Sequence, residues 1–315
     1  MIEGIHIGHW TDLDAATGLT VFLLPEGGIV AADARGQNTG TLNIPIFEAT
    51  GSADHAAGIV LTGGTIYGLA AAAHLAVLLG QQGVGIPTEG GPVPYVTGAV
   101  VFDLLLGRRA WPTANSVESA MATAVPAGSE ATGTVGVGTG VLAGQVYGMD
   151  FATKGGFGRA ARTTAQGATV AAWAVTNPAG DVMGEDGAIL AGMRRDGRFV
   201  GATEALAGDP KPVLDWGRAT TLVVVATDAL LDKRETWRLA QAGNNGIANS
   251  IWPSATGLDG DTAFAVSTGR VVGVSPLALE SVAAYVTAAA IRDAVRSATT
   301  LHGVPAIRDL AIDHG

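Results

Sequence analysis

The run Ala219-Thr220-Thr221-Leu222-Val223-Val224-Val225-Ala226-Thr227-Asp228-Ala229 decides the fold class. Its apolar stretch is short, β-branched and continuous, with threonines at both ends. That pattern predicts a strand covered on both faces rather than a half-exposed one. Ala168 to Thr176 (ATVAAWAVT) reads the same way. Working outward, Leu19 to Leu24 (LTVFLL) is a strand ended by Pro25, and Ile59 to Thr62 ends another, followed by Gly63-Gly64. From Thr65 to Leu79 the pattern is helical and apolar nearly all round, which predicts a buried helix. Val135 to Val141 is a Gly-rich strand or loop. Asp232 with Glu235 forms a capping box for a helix reaching about Ser250. Ser275-Pro276 starts the last long helix, with proline at its first position. Met193 to Ala219 holds nine charged residues in 27 positions, about twice the chain's average density, and predicts an exposed, mobile loop.

Length and composition agree with a layered, closely packed protein. The 315 residues allow one large domain or two ordinary ones, and no repeat or linker divides them. Glycines number 46, hydrophobic residues reach 48% and charged residues only 15%, against a usual value of about 25%. Such a chain buries a large core on small residues, which excludes disorder; the unperiodic glycines exclude collagen. The net charge of −10, with no basic run, argues against nucleic acid and against an anionic membrane surface as partners. The apolar stretch from Leu277 to Ile291 is interrupted by Glu280 and is too short to span a bilayer. The acidic start, MIEGIHIGHWTDLDAATG, lacks the pattern of a signal peptide, so the expected location is cytoplasmic.

The side chains then narrow the chemistry. With no cysteine, thiolate metal sites, disulfides and a Cys nucleophile are excluded. Six histidines show no HExxH and no helical pair at ligand spacing, and Asp259-Gly260-Asp261 runs straight into a strand instead of completing a Ca²⁺ loop; no metal is expected. Gly136 to Gly140 (GVGTG) and Gly156 to Ala161 (GFGRAA) lack the strand–helix setting of a dinucleotide site. No G-x-S-x-G elbow is present. What remains is a nucleophile that brings its own base: a threonine freed at a new N-terminus, whose α-amine titrates near 7.7–8.0 and can take the hydroxyl proton. Thr220, at the head of a buried strand and behind a charged loop, has the required form. A threonine there is equally an ordinary β-former. Asn177-Pro178 reads as a turn and Asp259-Gly260-Asp261 as a hairpin tip by the same standard.

Collinear segments favour the catalytic alternative. TDLDAATGLTV near the start, LTGGTIYGLAAAA from Leu61, VVFDL from Val100, GTVGVGTG from Gly133, TKGGFGRAAR from Thr153, VTNPAGDV from Val175, TTLVVVATDALL from Thr220 and DGDTAFAVSTG from Asp259 follow one another across nearly the whole chain. Together they resemble the β-peptidyl aminopeptidase / L-aminopeptidase–D-esterase family of self-processing N-terminal-nucleophile hydrolases, which includes nylon-oligomer hydrolase. The resemblance implies an α+β fold, a four-layer αββα sandwich of the D-aminopeptidase / ornithine-acetyltransferase group. It implies one domain over 1–315, cut at Ala219–Thr220 into a large chain, 1–219, and a small chain, 220–315. Thr220 becomes the nucleophile toward a small peptide or amide, Asn177 an oxyanion donor, and Asp259 and Asp261 the acceptors that orient the Thr220 amine and hydroxyl. Phe102, Lys154, Gln145, Tyr67 and Val100 are implied to line the site. The family tends to tetramers and uses no cofactor.

Departures from the family's pattern bear on activity. Ala219 replaces the usual Asn or Gly before the nucleophile. Phe102 stands where some members have a tyrosine, Gln145 where the nylon-oligomer hydrolase has a lysine, and Val100 where aminopeptidases hold the substrate amine with an acid. Two alternatives stay open: an acyltransferase of the ornithine-acetyltransferase type, although no KGTGM motif precedes Thr220, and an uncleaved member without activity.

Overall fold

A computed structural model describes residues 2–208 and 218–310. Two sheets lie face to face. The first contains β1 (His6–Asp12), β2 (Thr17–Leu23), β4 (Thr41–Leu42), β5 (Gly58–Thr62), β6 (Val96–Val100) and β7 (Val125–Pro126), in the order β4-β6-β5-β2-β1-β7. The second holds β3 (Ile29–Ala34), β8 (Phe157–Thr163), β9 (Thr169–Asn177), β10 (Thr220–Ala229) and β11 (Thr262–Val271), in the order β8-β9-β10-β11-β3. The central strand of this second sheet is the opening run of the sequence, antiparallel to β9 and parallel to β11. Helices α1 (Ile66–Gln81) and α2 (Ala114–Ala122) cover the first sheet; α3 (Lys233–Ala248) and α4 (Pro276–Ser297) cover the second. This is the four-layer αββα sandwich.

Side-chain alternation explains why the strands look uninterrupted in sequence. In β10, Leu222, Val224 and Ala226 face the other sheet, where they join Trp173, Phe264, Phe22, Ile59 and Leu61. Val223 and Val225 face the helices and join Leu239, Ala242, Val286 and Ala290. Both faces are buried, so both must be apolar. Phe22 and Trp173 meet edge-on across the sheets, with ring centroids 5.7 Å apart. On the outside, Ala71, Ala72, Leu75 and Leu79 of α1 pack on Val21 and Val60.

The capping box holds as read. Glu235 N donates to Asp232 Oδ1 at 2.7 Å, and Asp232 N donates to Glu235 Oε2 at 3.0 Å. Ser275 Oγ likewise accepts from Ala278 N at the head of α4. Two expectations need correction, and the strand-or-loop reading of Val135–Val141 is decided. Helix α1 is not buried all round: Ile66 and Val77 are 64% and 50% exposed, because it is an outer layer and only its inner face meets a sheet. Gly136–Gly138 is a turn of 3-10 helix rather than a strand. Within Met193–Ala219, the segment through Gly208 is ordered as a hairpin (Arg194–Arg195 with Arg198–Phe199) and a short helix (Ala202–Gly208), with Met193 and Ala202 buried under them. Residues 209–217 lie outside the described residues.

Candidate active site

Three segments converge at the start of β10. Thr220 is the first residue of the strand and pairs across the sheet with Asn177, the last residue of β9. On the other side Ala219 is bridged to Asp259, just before β11. Thr220, Asn177, Asp259 and Asp261 are all buried, at 7%, 0%, 0% and 1% exposure. The sheet thus gathers residues separated by more than 80 positions into one cluster.

The carbonyl of Ala219, in the 219–220 peptide, has two donors. Thr220 Oγ1 donates to Ala219 O at 2.5 Å, and Gly260 N donates to the same oxygen at 2.9 Å. Glycine is required at 260 because a Cβ there would sit 2.6 Å from Asn38 O and 2.9 Å from Thr220 Oγ1. The two acids flanking it have other partners in this uncut chain. Asp261 accepts from Thr221 N at 2.6 Å and from Ala255 N at 2.9 Å. Asp259 accepts from Thr256 Oγ1 at 2.6 Å, Thr256 N at 3.0 Å and Ala179 N at 3.3 Å. The Thr220 hydroxyl therefore turns to Ala219 rather than to either carboxylate. Burial, and then the neighbouring Asp259 charge, pushes Asp261 up to about 7. Burial also raises Asp259, against the pull of its Thr256 hydrogen bonds.

Asn177 is locked by its acceptor end. Its Oδ1 accepts from Leu142 N at 2.9 Å and from Gln145 Nε2 at 3.0 Å, and Gln145 also donates to Asn177 O. Two donors on the oxygen fix which end of the amide is which. Nδ2 then donates to Arg218 O at 3.2 Å. A cavity of about 290 Å³ opens onto Thr220 and is lined by residues 37–40, Thr65, Ile66, Val100 and Phe102. A buried hydroxyl, neutral amide donors and a pair of acids suit acyl transfer.

The model of peptidase family S58 matches residues 2–307. The chain belongs to peptidase family S58. An uncharacterized aminopeptidase of Mycobacterium bovis is 35% identical over 98% of this chain and 96% of its own length. A 6-aminohexanoate-oligomer endohydrolase of Agromyces sp. is 30% identical over 85% of this chain and 74% of its own. Among solved structures, a Burkholderia sp. beta-aminopeptidase superimposes with a TM-score of 0.70 at 23% identity, covering 96% of this chain and 87% of that one. The L-aminopeptidase D-Ala-esterase/amidase of Ochrobactrum anthropi, described as a variant of the Ntn hydrolase fold, gives 0.72 at 19%, covering 99% and 90%. The S58 chain is a hydrolase of peptide or amide bonds.

The remaining residues singled out in the sequence of this S58 chain fall in different places around the Thr220 cluster. Phe102 and Val100 line the cavity at Thr220. Gln145 lies behind Asn177. Tyr67 stacks on Trp111 at the surface, with centroids 4.5 Å apart, outside that lining. Lys154 is wholly buried and donates to the carbonyls of Gly138, Val141 and Gly155 at 2.9–3.1 Å, so it ties loops together beneath the site rather than meeting a surface acid. Burial lowers it to about 7, with Asp103 pulling the other way.

Sequence reasoning missed Asp103, Gly260 and Thr65. Asp103 is buried, accepts from Gly64 N and Thr17 Oγ1, and is raised by burial to about 6. It stood in plain view beside Phe102, but nothing local tells a lone acid after an apolar run which backbone it will hold. Thr65 caps α1 at φ 48° and ψ −136°, a strained conformation for a β-branched residue, on the wall of the cavity. Among the described residues no group of His, Asp and Glu could hold a metal, and no helix is long and apolar enough to cross a membrane.

Proposed function

We propose that the chain cuts itself between Ala219 and Thr220 and then uses Thr220 to hydrolyse small peptides or amides through an acyl-enzyme. The observation that carries this is the Ala219 carbonyl, which lies beside the Thr220 hydroxyl and under the Gly260 N–H. Thr220 Oγ attacks the Ala219 carbonyl carbon while Gly260 N–H stabilises the charge growing on the oxygen. The hydroxyl proton ends on the Thr220 nitrogen as the C–N bond breaks, leaving an ester. Water cleaves that ester, giving an Ala219 carboxylate and a free Thr220 amine and hydroxyl.

In the cut enzyme the amine removes the proton from its own hydroxyl as Oγ attacks a substrate carbonyl. Asn177 Nδ2, released from Arg218 O, becomes a donor to the substrate oxyanion. Asp259 and Asp261 orient the new amine and hydroxyl. The substrate amine leaves, and water resolves the acyl-Thr220 ester. The names of the relatives, aminopeptidase and oligomer endohydrolase, fit this chemistry. The reading also takes the enzyme to be cytoplasmic and tetrameric; the outward apolar face of α1, with Ile66 and Val77, offers a surface for assembly.

Intact-mass analysis of the purified protein tests the cut. Fragments of about 22 and about 10 kDa are expected, at the chain's mean of 31.5 kDa over 315 residues. Thr220→Ala should give one full-length species without amidase activity. A variant that is still cut and still active would refute the assignment.

A further inference from the structure

We propose, resting on the reading above, that Asn38 is a positioning residue for self-cutting: its backbone N–H and its side-chain amide grip the 256–260 turn from outside and keep the Gly260 N–H aimed at the Ala219 carbonyl. That turn, just before β11, lies between two stretches of chain. On one side is the segment to be cut, where Ala219 is bridged to Asp259 and Gly260 N donates to Ala219 O at 2.9 Å. On the other side is the loop that follows β3. Arg35 N and Gly36 N donate to Asp261 O at 2.9 and 3.1 Å. Asn38 N donates to Asp259 O at 3.0 Å, and Asn38 Nδ2 donates to Gly257 O at 2.5 Å.

Asp259 O and Gly260 N belong to one peptide unit. In a trans peptide the C=O and the N–H point in opposite directions, so the bond from Asn38 N sets the direction of the Gly260 N–H on the far edge. The side chain adds a second point of attachment. Gly257 O accepts from no other donor among the described residues, and a glycine backbone is free to turn unless it is tied. The tether stops the turn from rolling about the bond to Asp259 O. The carboxylates of Asp259 and Asp261 do not do this. They accept from Ala179, Thr221, Ala255 and Thr256, and leave the carbonyls of Gly257 and Asp259 to Asn38. The loop is itself braced. A Cβ on Gly36 would sit 2.3 Å from Asp259 O and 2.4 Å from Asp261 N, and Arg35 Nη1 donates to Asn245 Oδ1 of α3 at 3.0 Å.

The test follows the full chain through cell-free synthesis, with a short pulse of labelled amino acid and a chase, and reads the rate at which the full-length band disappears. Asn38→Leu keeps the shape of the side chain and removes its donor. It should slow the cut about three- to tenfold, the range of one hydrogen bond. Asn38→His places Nδ1 at the reach of the lost Nδ2 and can donate from it, so it should restore most of the rate, which a space-filling role would not do. An Asn38→Leu chain cut at the wild-type rate would overturn the inference and leave the self-cutting reading standing. So would a histidine variant as slow as the leucine variant. A wild-type chain that is never cut overturns both. The urea midpoint of each variant, measured in the Thr220→Ala chain, shows that it folds, and Asn38→Ala takes the place of the leucine variant if that one does not.

Discussion

At the scale of single residues, Gly260 occupies the most constrained position of the site. Its N–H is a donor to the Ala219 carbonyl, and its missing Cβ leaves room for Thr220 Oγ1 and Asn38 O. Gly260→Ala forces one of these apart, since Asn38 O is backbone and cannot swing away. Self-cutting should slow by at least about tenfold, within the cost of losing one oxyanion donor. A time course of the full-length band on a denaturing gel reads this directly, and conversion at the wild-type rate would remove Gly260 from the mechanism. Gln145 acts one step further out, as a positioning residue. Gln145→Leu removes a donor from Asn177 Oδ1 and lets the amide turn; kcat should fall about 10–100-fold with KM little changed, as expected for a hydrogen bond worth about 1–3 kcal/mol. Gln145→Lys, which restores a donor, should recover much of the loss. The residues of this site were legible in unequal measure. Thr220, Asn177, Asp259 and Asp261, which alone read equally as a β-former, a turn and a hairpin tip, were singled out only by the resembling segments around them. Asp103 and Gly260 do not, because what defines each is a partner from a distant stretch of chain.

At the scale of elements, the strands were read best where burial is on both faces. Leu222 to Ala226 cannot be amphipathic when one face meets the opposite sheet and the other meets α3 and α4. The same rule misled for α1. An Ala-rich helix looks apolar all round whether or not both faces are covered, and only the packed structure tells that Ile66 and Val77 face outward. Charge density misled for residues 194–208, since exposed arginines are compatible with a hairpin whose neighbour Met193 is buried. Capping boxes, which are local, were read without loss. Asp232 therefore gives a clean element-level prediction. Asp232→Ala should cost about 1 kcal/mol by leaving Glu235 N without its acceptor. That is a fall in Tm of roughly 1.5 °C for a chain of 315 residues, which calorimetry resolves, and Asp232→Asn should show little of it. An unchanged Tm in the alanine variant would mean that packing of α3 alone holds its first turn.

At the scale of the whole molecule, the buried titratable groups give the fold a pH dependence of definite sign. Asp103 and Asp181 are raised by burial to about 6 and Asp261 to about 7. Each holds its proton more tightly folded than unfolded, so its contribution is full below about 4 and is lost as pH rises through 6 to 7. His9, lowered by burial to about 4, works the other way in part of that window, favouring the fold as pH rises toward 6.5. Three acids outweigh one histidine, so net stability from these groups falls between pH 4 and 7. Above 7 the sign reverses through Lys154, lowered by burial to about 7. The unfolded chain keeps that proton to about 10, so stability is regained as pH rises from 7 toward 10. The uncut Thr220→Ala chain is the right material, because its unfolding is that of one polypeptide. Its urea midpoint should rise between pH 7.5 and 9.5, and the rise should vanish when Lys154→Met is added. Met fills the same buried space but carries no proton to release, so a rise of equal size in both chains would show that Lys154 is not the group responsible.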